Sequence, residues 1–351
     1  MTSMKSILSL LMLLMAGLTA FSREESAPSY QVSTIADRLK NNAHAVMRYD
    51  HTEMKVLDFD KVLYKKKYAV TILNDKGKKY AVLQQGYTLL NRIDNIKGRL
   101  LDSAGKEIRT MKEKDLADFS TYGSSFVYHS DVRVKAYDFN YDKYPYTVEY
   151  EVERVLKTTA FLPDWESQPD HDCAIEHSDF TLTYPSAIPV RYKEYLMPVE
   201  AERYSGKDDK GNEVRTWKMK DVYAYKEEPF SKTGNHTSAT VVLAPGRFEL
   251  LKYKGSMESW QSLGLFNYKL NEGRDLLPED KKAMVQTLMA DETDTYAKIQ
   301  KLYAYMQQTT RYVANEYGIA GWQTFDAVNV AQNGYGDCKG LTNYLKALLK
   351  E

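Results

Sequence analysis

From about Asn42 to Lys157, apolar and polar residues alternate with a period of two. That is the pattern of strands with one buried and one wet face. It is plainest in "YPYTVEYEVERVL", where Val148, Tyr150 and Val152 oppose Glu149, Glu151 and Glu153. "AHAVMRYD" places Ala43, Ala45, Met47 and Tyr49 on one side. "VLYKKKYAVTIL" and "YAVLQQGYTL" flank "NDKGKK", where Asn74, Asp75 and Gly77 predict a hairpin turn. "DSAGK" inside "NIKGRLLDSAGKEIRT" repeats the device. After a loop-like stretch, "LPDWESQPDHDCAIEHSD", strand patterns resume in "FTLTYP", "VRYKEYLMPV", "EVRTWKMKDV", "ATVVLAP" and "FELLKYKG", with "KDDKGN" as a turn. Many short antiparallel strands with regular turns predict a β-sandwich, one large one or more than one.

Near Trp260 the period changes to that of helices. Met284, Val285, Leu288 and Met289 share one stripe, and Ile299, Leu302, Tyr303 and Met306 another, with Thr293 or Asp294 as the cap between them. A last helix begins within "NGYGDCKG", with Leu341, Tyr344, Leu345, Leu348 and Leu349 on one face. Leaving such side chains wet forfeits roughly 1.5–3 kcal/mol each, so this face needs a partner. With no stop signal at the end of that helix, the chain is expected to be a fragment of a longer protein.

Charge and composition narrow the function classes. The 48 basic and 48 acidic residues cancel, which removes the electrostatic case for nucleic acid. The 28 tyrosines suit half-exposed sheet faces, with sugar or peptide stacking as a functional use for some. At the N-terminus Lys5 precedes the apolar run Ile7 to Leu18, and "AFS" follows. The run is shorter than the roughly 20 residues of a membrane span, so residues 1–22 read as a signal peptide. The mature protein is expected to be exported, periplasmic or attached to the cell envelope, with no transmembrane helix. In such a compartment Cys173 and Cys338 can pair, or Cys338 can stay a free thiol. Both readings stay open at this stage.

The candidate chemistry sits at Cys338. Gly334 and Gly336 let the backbone turn tightly, Asp337 is a good N-cap, and Cys338 falls on the first helical turn. The free amides and dipole of that turn favour an anion, so a thiolate is stabilised there, and the same amides suit an oxyanion. The bland reading is a small apolar residue in a core helix. A nucleophilic cysteine also needs a base. All six histidines, His44, His51, His129, His171, His177 and His236, lie upstream in the β-rich part. "HDCAIEH" gathers His171, Cys173 and His177, but zinc spacing is absent, and "KDDKGN" lacks the spacing of a calcium loop. No metal and no cofactor is expected.

At these residues the chain resembles a family. "TTRYVANEYGIAGWQTFDAVNVAQNGYGDCKGLTNYLKALL" is similar to the nucleophile half of a transglutaminase-like core, with "TRY", "GIAGWQ" and "GYGDCKGLTNYLKALL" as its strongest marks. "HAVMRYD", "YAVTILNDKGKKYAV", "YPYTVEYEVE", "GSMESWQSLGLFNYKL" and "GRDLLP" resemble the domain of unknown function found ahead of such cores in exported bacterial proteins. Gly340 and Thr324 depart from the pattern, standing where alanine or aspartate and proline are commoner. The resemblance implies an α+β, papain-like core whose cysteine attacks a carboxamide and forms a thioester, resolved by an amine or water. Cys338 matches the nucleophile. The matching histidine and aspartate would follow it, beyond this sequence, so this chain alone is expected to be inactive. Trp322 or Gln323 is a candidate for lining the acyl site, with packing the bland role for Trp322. The division is then 1–22 signal peptide, 23–255 β-sandwich domain of unknown function, and 256–351 incomplete transglutaminase-like core. The substrate would be a protein or peptide, with a cell-envelope component as a further partner. The alternative is a non-catalytic β-sandwich that binds peptide or glycan through exposed tyrosines.

Overall fold

The alternating runs become long strands. The computed structural model describes residues 30–120, 127–227, 229–230 and 238–351, and the expected signal peptide lies outside them. Eight strands form one sheet: β1 (Ala45–Asp58), β2 (Lys61–Ile72), β3 (Asn91–Leu101), β4 (Glu107–Thr110), β5 (Tyr146–Leu156), β6 (Cys173–Tyr184), β7 (Glu202–Lys207) and β8 (Glu213–Val222). Their order is β7-β8-β6-β1-β2-β5-β3-β4. Every pair is antiparallel except β1 with β6, which run parallel from Ala45↔Cys173 to Lys55↔Thr183.

Two apolar cores share one face of this sheet. Val62, Val70 and Ile72 of β2 project the same way, because side chains alternate along a strand. Val62 belongs with Met54, Phe180, Leu182 and Trp217. That core is closed by Trp165, Val190, Val241 and Leu243 of a three-stranded sheet built from Trp165–Glu166, Val190–Tyr195 and Thr240–Pro245. Val70 and Ile72 instead belong with Met47, Val148, Tyr150, Cys173 and Ile175, under Leu83 and Phe139. The result is sheet on sheet, as the sequence predicts.

The turns at 102–106 and 208–212 form as expected. Asp102 accepts from the Ala104 and Lys106 amides at 2.9 Å each, and Asp208 from those of Lys210 and Asn212 at 2.9 Å each. The "NDKGKK" hairpin does not form. Asp75–Ala81 is 3-10 helical, and the following strand, Leu83–Tyr87, pairs with Arg133–Tyr137 in a separate sheet. The Asn74 side chain accepts from the Lys76 amide at 3.1 Å and starts this helical stretch. Gly77 is pressed so closely on His44 that a Cβ would sit 2.1 Å from the His44 carbonyl oxygen. Glu149 also departs from its expected wet position. It is buried, accepting from the Tyr30 hydroxyl at 2.7 Å and from Arg99 Nε at 2.9 Å.

Among the outward residues of β1, His51 lies between two carboxylates. Its Nδ1 is 2.5 Å from Asp179 and its Nε2 is 2.9 Å from Glu53. Both nitrogens must donate, which requires the imidazolium. The Asp179 hydrogen bond raises its pKa to about 9; partial burial opposes this, and the Glu53 hydrogen bond adds to it. Because the folded pKa exceeds the unfolded value, this contribution to stability is complete below about pH 6.5 and is lost as pH rises through about 9. His51→Gln is therefore expected to flatten the decline in melting temperature between those pH values, measured by circular dichroism. An unchanged decline would place it elsewhere.

The C-terminal part is helical: α1 (Trp260–Leu270), α2 (Glu279–Met289), α3 (Thr295–Thr309), α4 (Ala327–Asn333) and α5 (Cys338–Lys350). Asp294 caps α3, accepting from the Ala297 amide at 2.7 Å. Val285, Leu302, Met306, Val330, Tyr344, Ala347 and Leu348 form its core. The predicted stripes are only partly used: Leu288, Ile299 and Tyr303 lie at the surface. α1 joins the two parts, its Phe266 stacking edge-on against Phe248 of the strand Arg247–Leu250 at 4.9 Å. Among the described residues no helix is long and apolar enough to cross a membrane.

Candidate functional site

The segment before Cys338 is fixed by a short parallel ladder. α4 ends at Gly334, whose φ of 66° is a left-handed conformation that favours glycine, and its amide donates to the Val330 carbonyl at 2.9 Å. Arg311–Tyr312 then pairs with Tyr335–Gly336. The Arg311 amide donates to the Gly334 carbonyl, and that of Val313 to Gly336, at 3.0 Å each. The sequence marks both segments without indicating that they touch.

Asp337 is the hinge of the site. Only 3% exposed, it caps α5, with Oδ1 accepting from the Gly340 amide at 2.7 Å and Oδ2 held 2.6 Å from Lys339 Nζ. Cys338 is the first residue of the helix and is exposed. Asp337→Ala is expected to cost about 0.5–2 kcal/mol in urea unfolding, with Asp337→Ser, which keeps a cap, costing less. Equal costs would mean that the cap contributes nothing.

Cys338 opens into a cleft of about 800 Å³. One wall is Tyr268, Asn271 and Leu276, another is Trp322 and Thr324, and Thr342 and Lys346 of α5 form the floor. Polar side chains brace these walls. Asn271 Oδ1 accepts from the Thr324 amide at 2.8 Å, Gln323 Nε2 donates to the Leu270 carbonyl at 2.8 Å, and Asn343 Nδ2 donates to the Arg274 carbonyl at 2.7 Å. Gln323 is thus engaged in backbone support. Trp322 lines the cleft while stacking at a tilt on Phe161, 5.5 Å between centroids, so it has both a packing and a lining position. Lys346 and Lys350 share Asp275 at 3.0 and 3.3 Å, which holds the Asp275 carboxyl below its usual range.

Tyr312 is a residue whose role sequence reasoning missed. It pairs with Gly336 in the ladder, two residues before Cys338. Its phenol pKa is raised, first by partial burial and then by the Cys338 and Asp337 groups beside it. The signal available was "TRY", and only the ladder gives it a target.

The other sequence candidates lie elsewhere. Cys173 and Cys338 are unpaired. Cys173 is fully buried in the sheet core, which pushes its thiol up to about 12. "HDCAIEH" does not converge on one point, because His177 is exposed on β6 while Cys173 faces the core. Asp170, His171 and Asp172 do place ligand atoms within 4.8 Å of one another. However, Lys79 Nζ already lies 2.7 Å from Asp170 and 3.2 Å from Asp172, and Tyr80 donates to Asp172. Burial works against it, yet Lys79 and the His171 amide hold Asp170 down at about 2. No histidine is among the residues lining the Cys338 cleft.

Residues 60–226 match the family described as a domain of unknown function with solved structure, DUF3857. No curated protein matches the chain. Among solved structures, a "putative protease" from Parabacteroides distasonis aligns over 88% of this chain at 12% identity, with a TM-score of 0.61. A "putative nutrient binding protein" from Legionella pneumophila and an M1 zinc metallopeptidase from Deinococcus radiodurans, each 10% identical, align over 88% and 71% of this chain and 94% and 53% of their own. Their TM-scores of 0.27 and 0.26 are too low to indicate a common fold. This chain spans 58% of the length of the Parabacteroides structure. It carries a DUF3857 match over part of its β-rich region and shares the overall fold of that structure.

Proposed function

We propose that this chain is the nucleophile-bearing part of an exported, transglutaminase-like cysteine acyltransferase or hydrolase acting on protein or peptide amides. The observation that carries the proposal is Cys338, exposed on the first turn of α5, beside a buried capping aspartate and open to an 800 Å³ cleft. In this reading the sulfur attacks the amide carbonyl carbon. The S–C bond forms, the C–N bond breaks, and the amine or ammonia leaves with the proton given up by the thiol. Water or a second amine then displaces the sulfur from the thioester and returns the proton to it. The free amides of the α5 first turn suit the oxyanion. The base comes from residues other than those lining the cleft, in keeping with the chain order cysteine, histidine, aspartate. The β-rich region positions the substrate or docks to an envelope component.

The test uses a glutamine-containing peptide with hydroxylamine as acceptor, supplied to the full-length protein. Hydroxamate formation is expected with the amine present, and ammonia release in water alone. If neither a hydroxamate nor any released amine is found across a panel of peptide amides, the reading is wrong.

A further inference from the structure

We infer that Arg154 anchors a trough in the β-rich region that binds an extended peptide through one of its carboxylates. The inference goes beyond the reaction proposed above and does not depend on Cys338. Two observations locate the trough. First, the two apolar cores on one face of the large sheet do not merge. On β2, Val62 lies buried in one core and Val70 buried in the other, while Tyr64, Lys66 and Tyr68 between them are part-exposed. Arg154 of β5, paired with Tyr64, is likewise part-exposed between buried Val152 and Leu156. Solvent therefore reaches the middle of this face. Second, the polar floor is only half paired. Asp50 Oδ2 is neutralised by Lys66 Nζ at 2.9 Å. Ser178, beside Asp50 in the ladder and 1% exposed, has a hydroxyl without a partner. Arg154 forms no ion pair among the described residues. It donates to the Gln85 side chain, its buried Nε has no partner, and its guanidinium lies 5.9 Å from the centre of the Tyr64 ring. Burial pushes its pKa below the ordinary guanidinium value. A part-buried cation without a counter-charge is costly, and a guanidinium fork fits a carboxylate.

The strand beside Arg154 selects a peptide. Gln85 belongs to Leu83–Tyr87, which ends its three-stranded sheet and pairs on one side, with Arg133–Tyr137. That partner leads to Phe139, whose carbonyl accepts from Arg109 of β4 at 2.8 Å, so it lies toward the β4 end of the large sheet. The other edge of Leu83–Tyr87, unladdered among the described residues, faces β2 and the trough. An open edge recruits an extended chain, whose side chains then alternate between floor and solvent. An acidic side chain directed at the floor meets Arg154, and its apolar neighbours pack on Tyr64 and Tyr68. An acidic glycan can use Arg154 and the rings, but it has no strand to add to the edge.

The test measures fluorescence anisotropy of a dye-labelled peptide, TVEVT, blocked at both ends, with the full-length protein. TVQVT is the uncharged counterpart, and digalacturonate is the glycan competitor. TVEVT is expected to bind with a Kd below about 1 mM, and TVQVT roughly tenfold or more weakly. Arg154→Met keeps an unbranched side chain and removes the charge. It should raise the Kd for TVEVT roughly 10- to 100-fold. Its melting temperature should equal or exceed that of the wild type, because an unpaired cation has gone. A purely structural arginine would instead lower the melting temperature. Should Arg154→Met fail to fold, Arg154→Lys gives the second reading: it keeps the charge, loses the fork and should still bind more weakly than the wild type. Equal binding of the two peptides, no saturable binding of TVEVT, or wild-type affinity in the folded variant overturns the inference. Arg154-dependent binding of digalacturonate without binding of TVEVT overturns the peptide assignment. Cys338→Ser should bind TVEVT as the wild type does, so loss of turnover and loss of binding are separate results.

Discussion

Cys338→Ser is expected to abolish amide turnover by the full-length protein, by on the order of 10³-fold or more. It should also remove the principal site of iodoacetamide labelling. The argument is one of magnitude. The end of a helix stabilises a neighbouring anion by about 0.3–1 kcal/mol, up to about 2 when partly buried. A thiol lies near enough to ionisation for that contribution to matter, whereas an alcohol is far beyond its reach. Serine is nearly isosteric and Cys338 is exposed, so stability should change by less than about 0.5 kcal/mol. A folded Cys338→Ser protein that retains turnover would place the nucleophile elsewhere. Cys173 is not a substitute, since it is sealed in the sheet core with its thiol pushed up to about 12.

The strands are legible in the sequence because a period of two survives whatever the strand later pairs with. Val148, Tyr150 and Val152 all face the core, as their spacing requires. The turns built on Asp102 and Asp208 are legible because each is closed by a side chain within its own five residues. What lies between distant segments leaves no local mark. The parallel β1–β6 pair joins the start of the β-rich region to its second half, and nothing near Ala45 or Cys173 announces the other. Glu149 looks like a wet-face residue until Tyr30 and Arg99 cover it. The "NDKGKK" turn has the right residues for a hairpin, but close packing of Gly77 on the His44 carbonyl overrides them. The cysteine helix follows the same division. Its cap and amphipathic face are local and can be read directly. The pairing of Tyr312 with Gly336 and the bracing by Asn271, Arg274 and Asn343 depend on tertiary neighbours, and in the sequence these residues carry no mark of them.

The helix that presents Cys338 depends on a core some distance from the sulfur, and the second large effect is expected there. Leu348→Ala should lower stability by about 2–5 kcal/mol, because Leu348 is fully buried among Val285, Leu302, Met306 and Tyr344 and its removal leaves a cavity. Against a total of about 5–15 kcal/mol, that is a large fraction. Leu349 is the internal control. One residue on, it is 45% exposed, and Leu349→Ala should cost far less, within about 0.5–1 kcal/mol. Urea unfolding followed by circular dichroism separates the two, and equal costs would mean that α5 presents a different face to the core. Leu348 is ten residues along the helix from Cys338, about 15 Å at helical rise. A single helix of this length is marginal in water without tertiary packing. Loosening its buried end therefore frays its first turn, which the Asp337 cap on the Gly340 amide holds in place. Leu348→Ala should consequently slow Cys338 alkylation below neutral pH without changing any residue in the cleft.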